Sequence, residues 1–373
     1  MGKGACLIPS VTGVLPCDTW VLSRQPGGDL GAVAGVLSKA DIARASATIT
    51  ARPDYAPTPL LPMPGVARLL GIAHLACKDE SQRFGKGGVK ALGAPYGLTR
   101  LLEDASGTPE AVAATDGNHG LALAWAAQGA GVPCRIFISE DVDPPRQTRL
   151  TQAGAQLSII KGTYDDAVAA AEAYAAAAPD RLLVTDTDYT GGLPVTRHIM
   201  AGYAVLGQEL AAQTAAAPPS HILLQCGVGG MAAGVIAGYV AARGRLDTKL
   251  VLVEPQSAAC LYQSLKGGAM QGVGGDLLTH MMGLSCGHPS RPAWDILSEL
   301  AAGAVAVGEA VAVHLQPMLR EGRGGDAPFA CGDTGVAGFA ALAELAATGQ
   351  MGALGLGPDA RVVVVNSEGP VVV

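Results

Sequence analysis

Residues 83–90 read RFGKGGVK, a glycine-rich stretch carrying two lysines, and two chemistries compete for it. A loop that cradles nucleotide phosphates needs G-x-x-x-x-G-K-[ST], because its backbone N–H groups wrap the phosphates, its lysine reaches the terminal ones and its hydroxyl binds magnesium. With Lys90 taken as that lysine, Val89 stands where the glycine should be and Ala91 where the hydroxyl should be. A nucleotide site is therefore disfavoured. The other chemistry is covalent, with one lysine acting as a nucleophile. A lysine seen alone is by default a solvated surface residue, so the surrounding pattern decides.

Three further stretches carry polar or glycine-rich residues where a strand pattern stops and a helix pattern begins: TDGNHG (115–120), CGVGGM (226–231) and, at a late strand end, VNSEG (365–369). Open parallel sheets bind ligands at the carboxyl ends of their strands. CGVGGM offers free N–H groups and a helix dipole to an anion, most simply a phosphate. Such turns also serve close packing alone, and this one is not G-x-G-x-x-G, since Ala232 holds the last position. In TDGNHG, Asp116 or Asn118 can simply cap the helix, and His119 alone reads as structural. The co-occurrence carries the weight. A lysine after a glycine loop, an asparagine at a helix start, a glycine loop for phosphate and a hydroxyl on a late strand end together suit pyridoxal phosphate.

The elements that must position these residues are legible as alternation. Strand-like runs at 111–115, 134–139, 156–160, 182–185, 221–225, 249–254 and 362–366 are separated by alanine-rich helical stretches such as NHGLALAWAAQGAG and YDDAVAAAEAYAAAAPD. That pattern predicts an α/β fold with parallel strands and crossover helices. At 373 residues the length prior is roughly two domains. The charged fraction of 15% and net charge of -7 argue against nucleic-acid or anionic-membrane partners. Residues 222–242 carry no charge, and Gly230, Gly234 and Gly238 fall at helix-dimerisation spacing. Strand, glycine loop and helix explain the run better than a membrane span. Eight scattered cysteines without a CxxC or metal cluster, and an N-terminus lacking a long apolar run, point to reduced thiols, no metal site and a cytoplasmic location.

On the segments KDESQRFGKGGVKALGA, TDGNHGLALAWAAQ, TYDDAV, QCGVGGMAAGV, VEPQSAACLYQS, MGLSCGHPSRPAWDIL, CGDTGVAG and VVNSEGP, the chain resembles the diaminopropionate ammonia-lyases, fold type II pyridoxal phosphate enzymes of the tryptophan-synthase-β-like class. The resemblance implies two open, twisted, mostly parallel sheets flanked by helices. It implies a larger cofactor-binding domain of residues 1–91 plus 209–373, a smaller one of 92–208 closing over an amino-acid substrate, and a homodimer. By the same resemblance Lys90 carries the cofactor as a Schiff base and Lys86 is a bystander. Asn118 bonds the ring oxygen, Gly227, Val228, Gly229, Gly230 and Met231 bind the phosphate, and Ser367 faces the pyridine nitrogen. Asp116 and Asp186 serve the D- and L-substrates from opposite faces, with a pKa raised by desolvation expected for such a base. The implied reaction is α,β-elimination of 2,3-diaminopropionate or a close β-substituted amino acid to pyruvate and ammonia. A hydroxy amino acid dehydratase, a β-replacement enzyme, or a binding protein that merely retains the fold are the alternatives. One stretch departs from the family: Tyr189, Thr190, Gly191 and Gly192 stand where the lyases usually carry Trp, Glu, Gly and Tyr.

Overall fold

The computed structural model describes residues 20–115 and 117–370. Asp116, and the N-terminal stretch with Cys6 and Cys17 on which the leader reading depends, lie outside the described residues. Among the described residues, eleven strands alternate with helices: β1 (Trp20–Ser23), β2 (Leu60–Pro62), β3 (His74–Asp79), β4 (Glu110–Ala114), β5 (Cys134–Ser139), β6 (Gln156–Ile160), β7 (Arg181–Leu183), β8 (His221–Gln225), β9 (Lys249–Pro255), β10 (Ala301–Val307) and β11 (Arg361–Asn366). They form a seven-stranded sheet in the order β1-β10-β9-β8-β11-β3-β2 and a four-stranded sheet in the order β6-β5-β4-β7. Only the two edges of the large sheet, β1 on β10 and β2 on β3, run antiparallel. The class expected from sequence, α/β with two open, mostly parallel sheets flanked by helices, is the one the chain adopts.

The central strands are buried on both faces, as parallel strands under crossover helices must be; β8 and β10 are buried along their whole length. The sequence AAGAVAV of β10 gives no strand signal, because alanine and glycine are poor strand formers. Small residues are nevertheless what the space admits. A Cβ on Gly303 would lie 2.6 Å from both Leu22 O and Leu354 Cδ2.

The uncharged run at 222–242 divides into β8, a glycine turn and the helix Gly230–Arg243. That helix packs against the long helix Pro194–Gln213 with the two backbones almost touching. A Cβ on Gly234 would stand 2.2 Å from Met200 O, one on Gly238 1.9 Å from Ala204 O, and one on Gly207 1.9 Å from Val235 O. The dimerisation-like spacing thus serves helix packing inside the core. No helix among the described residues is long and apolar enough to cross a membrane. The six described cysteines are free thiols, five of them buried.

A buried ionic cluster anchors the loop that leads to Lys90. Arg83 donates through Nε and Nη2 to Glu80 at 2.7 and 2.8 Å and through Nη1 and Nη2 to Glu209 at 2.8 and 2.9 Å. Lys78, at the end of β3, reaches Glu209 at 2.6 Å and Thr58 O at 2.8 Å. All four charged side chains are buried. Burial works against ionising Glu209, yet Arg83 and then Lys78 hold its carboxyl below the ordinary range. The cluster ties the loop after β3 to the helix Pro194–Gln213.

Because Glu209 neutralises two buried cations, Glu209→Ala leaves Lys78 and Arg83 underpaired. The expected cost is about 3–5 kcal/mol, read as a shift in the urea midpoint at unchanged slope. A loss below about 1 kcal/mol would show that water re-solvates the cations and that the cluster is not a structural clamp.

Candidate active site

The glycine loop turns out to be a device for placing Lys90. Gly85 and Gly87 pass through the left-handed region at φ +64 and +81, where glycine alone is unstrained. Gly88 then pairs with the segment that follows β11. Val89 N donates to Ser367 O at 2.8 Å, Gly369 N donates to Gly87 O at 3.0 Å, and Gly88 bridges Glu368. A Cβ on Gly88 would sit 2.8 Å from Ser367 O, so glycine is what lets the two backbones meet. Phe84, at φ +52, bears backbone strain that non-glycine residues tolerate only when packing over-determines them. Arg52, 4.7 Å from its ring centroid, and Trp125, with ring centroids 6.0 Å apart, supply that packing. Lys86 is exposed and stands 5.2 Å from the Trp125 ring. Lys90 opens the helix Lys90–Glu103 and points the other way.

Lys90 Nζ donates to Asp186 Oδ2 at 2.9 Å, with 29% and 24% of the two side chains exposed, so the pair is largely buried yet still reached by solvent. Asp186 follows β7. His119 sits beside it: Nε2 lies 2.8 Å from Val184 O, which can only accept, so that nitrogen carries a proton. Its Nδ1 faces Asp186 Oδ2 at 3.7 Å and makes no hydrogen bond. Under Lys90 lies the ring of Tyr203, 5.8 Å from Nζ to centroid, with the space cleared by Gly93, whose Cβ would be 2.5 Å from Tyr203 Cζ. Burial pushes the Tyr203 hydroxyl up to about 12, and Lys90 draws it back only in part.

The electrostatics correct the expected basicity. Burial raises the Asp186 carboxyl, but the Lys90 ammonium and then His119 outweigh it and hold Asp186 well below the carboxylate range. Burial likewise disfavours the Lys90 ammonium, and the Asp186 carboxylate overrides that and raises it. The two groups are a closed ion pair. Asp186 becomes a useful base only when Lys90 gives up its charge.

Asp188, two residues on, is spent on its own turn. It accepts from Gly191 N and Leu193 N at 2.7 Å and from Thr190 N at 3.0 Å. The family-departing residues Tyr189–Gly192 thus form a compact turn around this carboxylate, with Tyr189 exposed and edge-on to His288, ring centroids 5.7 Å apart.

The remaining expected residues lie just past strand ends. Asn118 begins the helix Asn118–Ala130, whose cap residue is Gly117 without a side-chain cap; its Nδ2 donates to Glu368 Oε2. Ser367 follows β11, and its buried hydroxyl has no hydrogen-bond partner. Gly227–Met231 follow β8. Gly229, at φ +93, caps the helix Gly230–Arg243 with no side chain to satisfy its first N–H groups. A Cβ on Gly227 would lie 2.8 Å from Cys286 Sγ, and one on Gly230 3.9 Å from Asp186 O. The glycine turn is therefore next to the Asp186 segment.

With this geometry in place, the comparisons decide the family. The family model described as pyridoxal-phosphate dependent enzyme matches residues 51–368. The diaminopropionate ammonia-lyase of Escherichia coli (strain K12) is 33% identical over 338 residues, covering 84% of this chain and 85% of the relative. The chain belongs to the diaminopropionate ammonia-lyase family of pyridoxal-phosphate dependent enzymes. A crystal structure of the holo diaminopropionate ammonia lyase from Escherichia coli superposes with a TM-score of 0.83 at 29% identity over 94% of each chain. One of the same enzyme in complex with D-serine gives 0.83 at 30% identity, again over 94% of each chain. Maize serine racemase, at 19% identity and a TM-score of 0.77, shares the fold.

The residues fit the family's cofactor. A glycine turn whose unsubstituted helix start offers N–H groups suits a phosphate. The orphaned Ser367 hydroxyl suits a ring nitrogen, and the Lys90 amine is the nucleophile an aldehyde requires.

Sequence reasoning missed Glu368, although it stands beside Ser367 in the quoted motif. It also missed the Tyr203 platform and the part played by Asp188, which spacing alone cannot tell from Asp186.

The ion pair sets a pH signature. Unfolded, Asp186 titrates near about 3.9; folded, it titrates lower, so its contribution to stability is complete above about pH 5 and is lost as the pH falls through the range below about 4. The stability difference between the cofactor-free wild-type protein and Asp186→Asn, from urea unfolding, is expected to hold from about pH 7 to 5 and to shrink by pH 3. A difference independent of pH would mean the pair is not ionised.

Proposed function

We propose that this chain is a pyridoxal phosphate-dependent ammonia-lyase that eliminates ammonia from 2,3-diaminopropionate, or from a close β-substituted amino acid, to give pyruvate and ammonia. The observation that carries the reading is the Lys90–Asp186 pair at 2.9 Å beside a glycine turn and an unpartnered buried serine hydroxyl. When bound, the cofactor supplies an electrophilic carbon and an electron sink for the α-carbon. Every other part of the chemistry falls to the chain. Lys90 Nζ is the amine that holds the cofactor and later a carrier for the α-proton. The N–H groups of Gly227, Val228, Gly229, Gly230 and Met231 would hold the phosphate, and Asn118 Nδ2 would donate to the ring oxygen. The Ser367 hydroxyl would face the pyridine nitrogen as a neutral group, which would leave that nitrogen largely unprotonated and favour elimination.

In this reading Asp186 Oδ2 takes the α-proton of the L-substrate, and Asp116 serves the D-substrate, a role that the family resemblance alone carries. Removing the positive charge of Lys90 lifts the main influence that depresses Asp186, so the base gains strength when the lysine is engaged. His119 Nδ1 faces the same carboxylate oxygen at 3.7 Å. The turn 188–193, with its exposed Tyr189, borders the substrate side and sets the choice of β-substituent.

In the same reading, residues 1–91 plus 209–373 form the cofactor domain and 92–208 a domain that closes over the substrate. The four-stranded sheet, drawn wholly from residues 110–183, supports that division. The enzyme acts in the cytoplasm, where the free thiols stay reduced, and as a homodimer, which is carried by the family resemblance alone.

The test is a pyruvate-release panel of D- and L-diaminopropionate, serine, threonine and 3-hydroxyaspartate on purified protein, with diaminopropionate expected to be turned over fastest. Asp186→Asn is expected to lower L-turnover by about two to four orders of magnitude and Asp116→Asn to do so for the D-enantiomer. Faster turnover of a hydroxy amino acid would make the chain a dehydratase, and equal losses on both enantiomers in each variant would remove the two-base arrangement.

A further inference from the structure

Glu368 takes no part in the chemistry set out above, yet three segments of the site meet on it. Its Oε2 accepts from Asn118 Nδ2 and its Oε1 from Thr334 N at 2.8 Å. Its backbone bridges Gly88 in the loop before Lys90, and its carbonyl accepts from Gly332 N at 2.9 Å. Glycines clear the space it fills: a Cβ on Gly332 would lie 2.5 Å from Glu368 Cγ, and one on Gly88 3.2 Å from Glu368 Cβ. An asparagine amide carries two N–H groups and can turn about its last bond. With one N–H committed to Glu368, the direction of the other is fixed.

We propose that Glu368 is a positioning residue for the cofactor, holding the Asn118 amide so that its second N–H is presented to the ring oxygen of pyridoxal phosphate. This rests on the role assigned to Asn118 under Proposed function. The electrostatics agree with it. Burial pushes the Glu368 carboxyl above its ordinary range, and the Thr334 and Asn118 donors only partly oppose that. The group is thereby shifted toward its neutral form, which does not repel a nearby oxygen anion as a full carboxylate would.

The test is a double-mutant cycle on the apparent dissociation constant of pyridoxal 5'-phosphate, titrated into cofactor-free protein and followed by visible absorbance. Glu368→Gln keeps the volume that fills the glycine cradle but offers one acceptor where two donors need two. Asn118→Ala and Glu368→Gln are each expected to weaken binding by roughly fivefold, the worth of one hydrogen bond. Because Glu368 acts through Asn118, the double variant is expected to bind no more weakly than Asn118→Ala alone. Losses that multiply, or wild-type affinity in Glu368→Gln while Asn118→Ala is weakened, would overturn the proposal and leave the cofactor assignment standing. Unchanged affinity in Asn118→Ala would overturn the Asn118 assignment and the proposal with it. Should Glu368→Gln unfold, Glu368→Asp, which withdraws the carboxylate by one methylene, carries the same cycle.

Discussion

The contact between Lys90 and Asp186 is the constraint around which the rest of the molecule is arranged. One partner opens a helix that follows the large sheet's β3, and the other follows β7 of the small sheet. Their meeting requires the two sheets, the glycine loop and the long helix Pro194–Gln213 all to be in place. The buried cluster of Lys78, Glu80, Arg83 and Glu209 fixes the loop from behind, and the backbone pairing of residues 87–89 with 367–369 fixes it from the side. Lys90 and Asp186 each lower the free energy of the other's charged form, so neither is reactive until the pair is opened.

That coupling gives the site an internal order. While Lys90 is an ammonium, Asp186 is a poor base. Once the amine is engaged and its charge withdrawn, the largest influence that depresses Asp186 is gone, and burial, which drives its carboxyl upward, is opposed chiefly by His119. His119 and Tyr203 border the same space, each with a buried polar atom that makes no hydrogen bond.

Much of this was legible in the sequence, and the remainder was hidden for physical reasons. The runs at 134–139, 156–160 and 221–225 match β5, β6 and β8 residue for residue; only β8 is buried throughout, as a parallel strand covered on both faces is, and β6 is an edge strand with no buried residue. The strands without a sequence signal are β1 and β2, short and at the sheet edges, β3, whose HLACKD mixes charged and apolar residues, and the alanine-rich β10. The residues around the site could be named by resemblance. The Asp186 carboxyl, expected to be raised, is instead depressed, since its partner lysine lies 96 positions away in sequence and no local pattern shows the contact. Glu368 and Tyr203 are likewise ordinary residues until the fold brings Asn118 to one and Lys90 to the other.

The family resemblance prefers Lys90 to its neighbour Lys86, and the two lysines stand in different surroundings. Lys86 stands exposed against Trp125, and Lys90 pairs with Asp186. Loading the purified protein with pyridoxal 5'-phosphate, reducing it with borohydride and mapping the stable adduct by peptide mass spectrometry tests the assignment most directly. The expected result is a single phosphopyridoxyl group on Lys90. An adduct on Lys86, or one spread over several surface lysines, would contradict it.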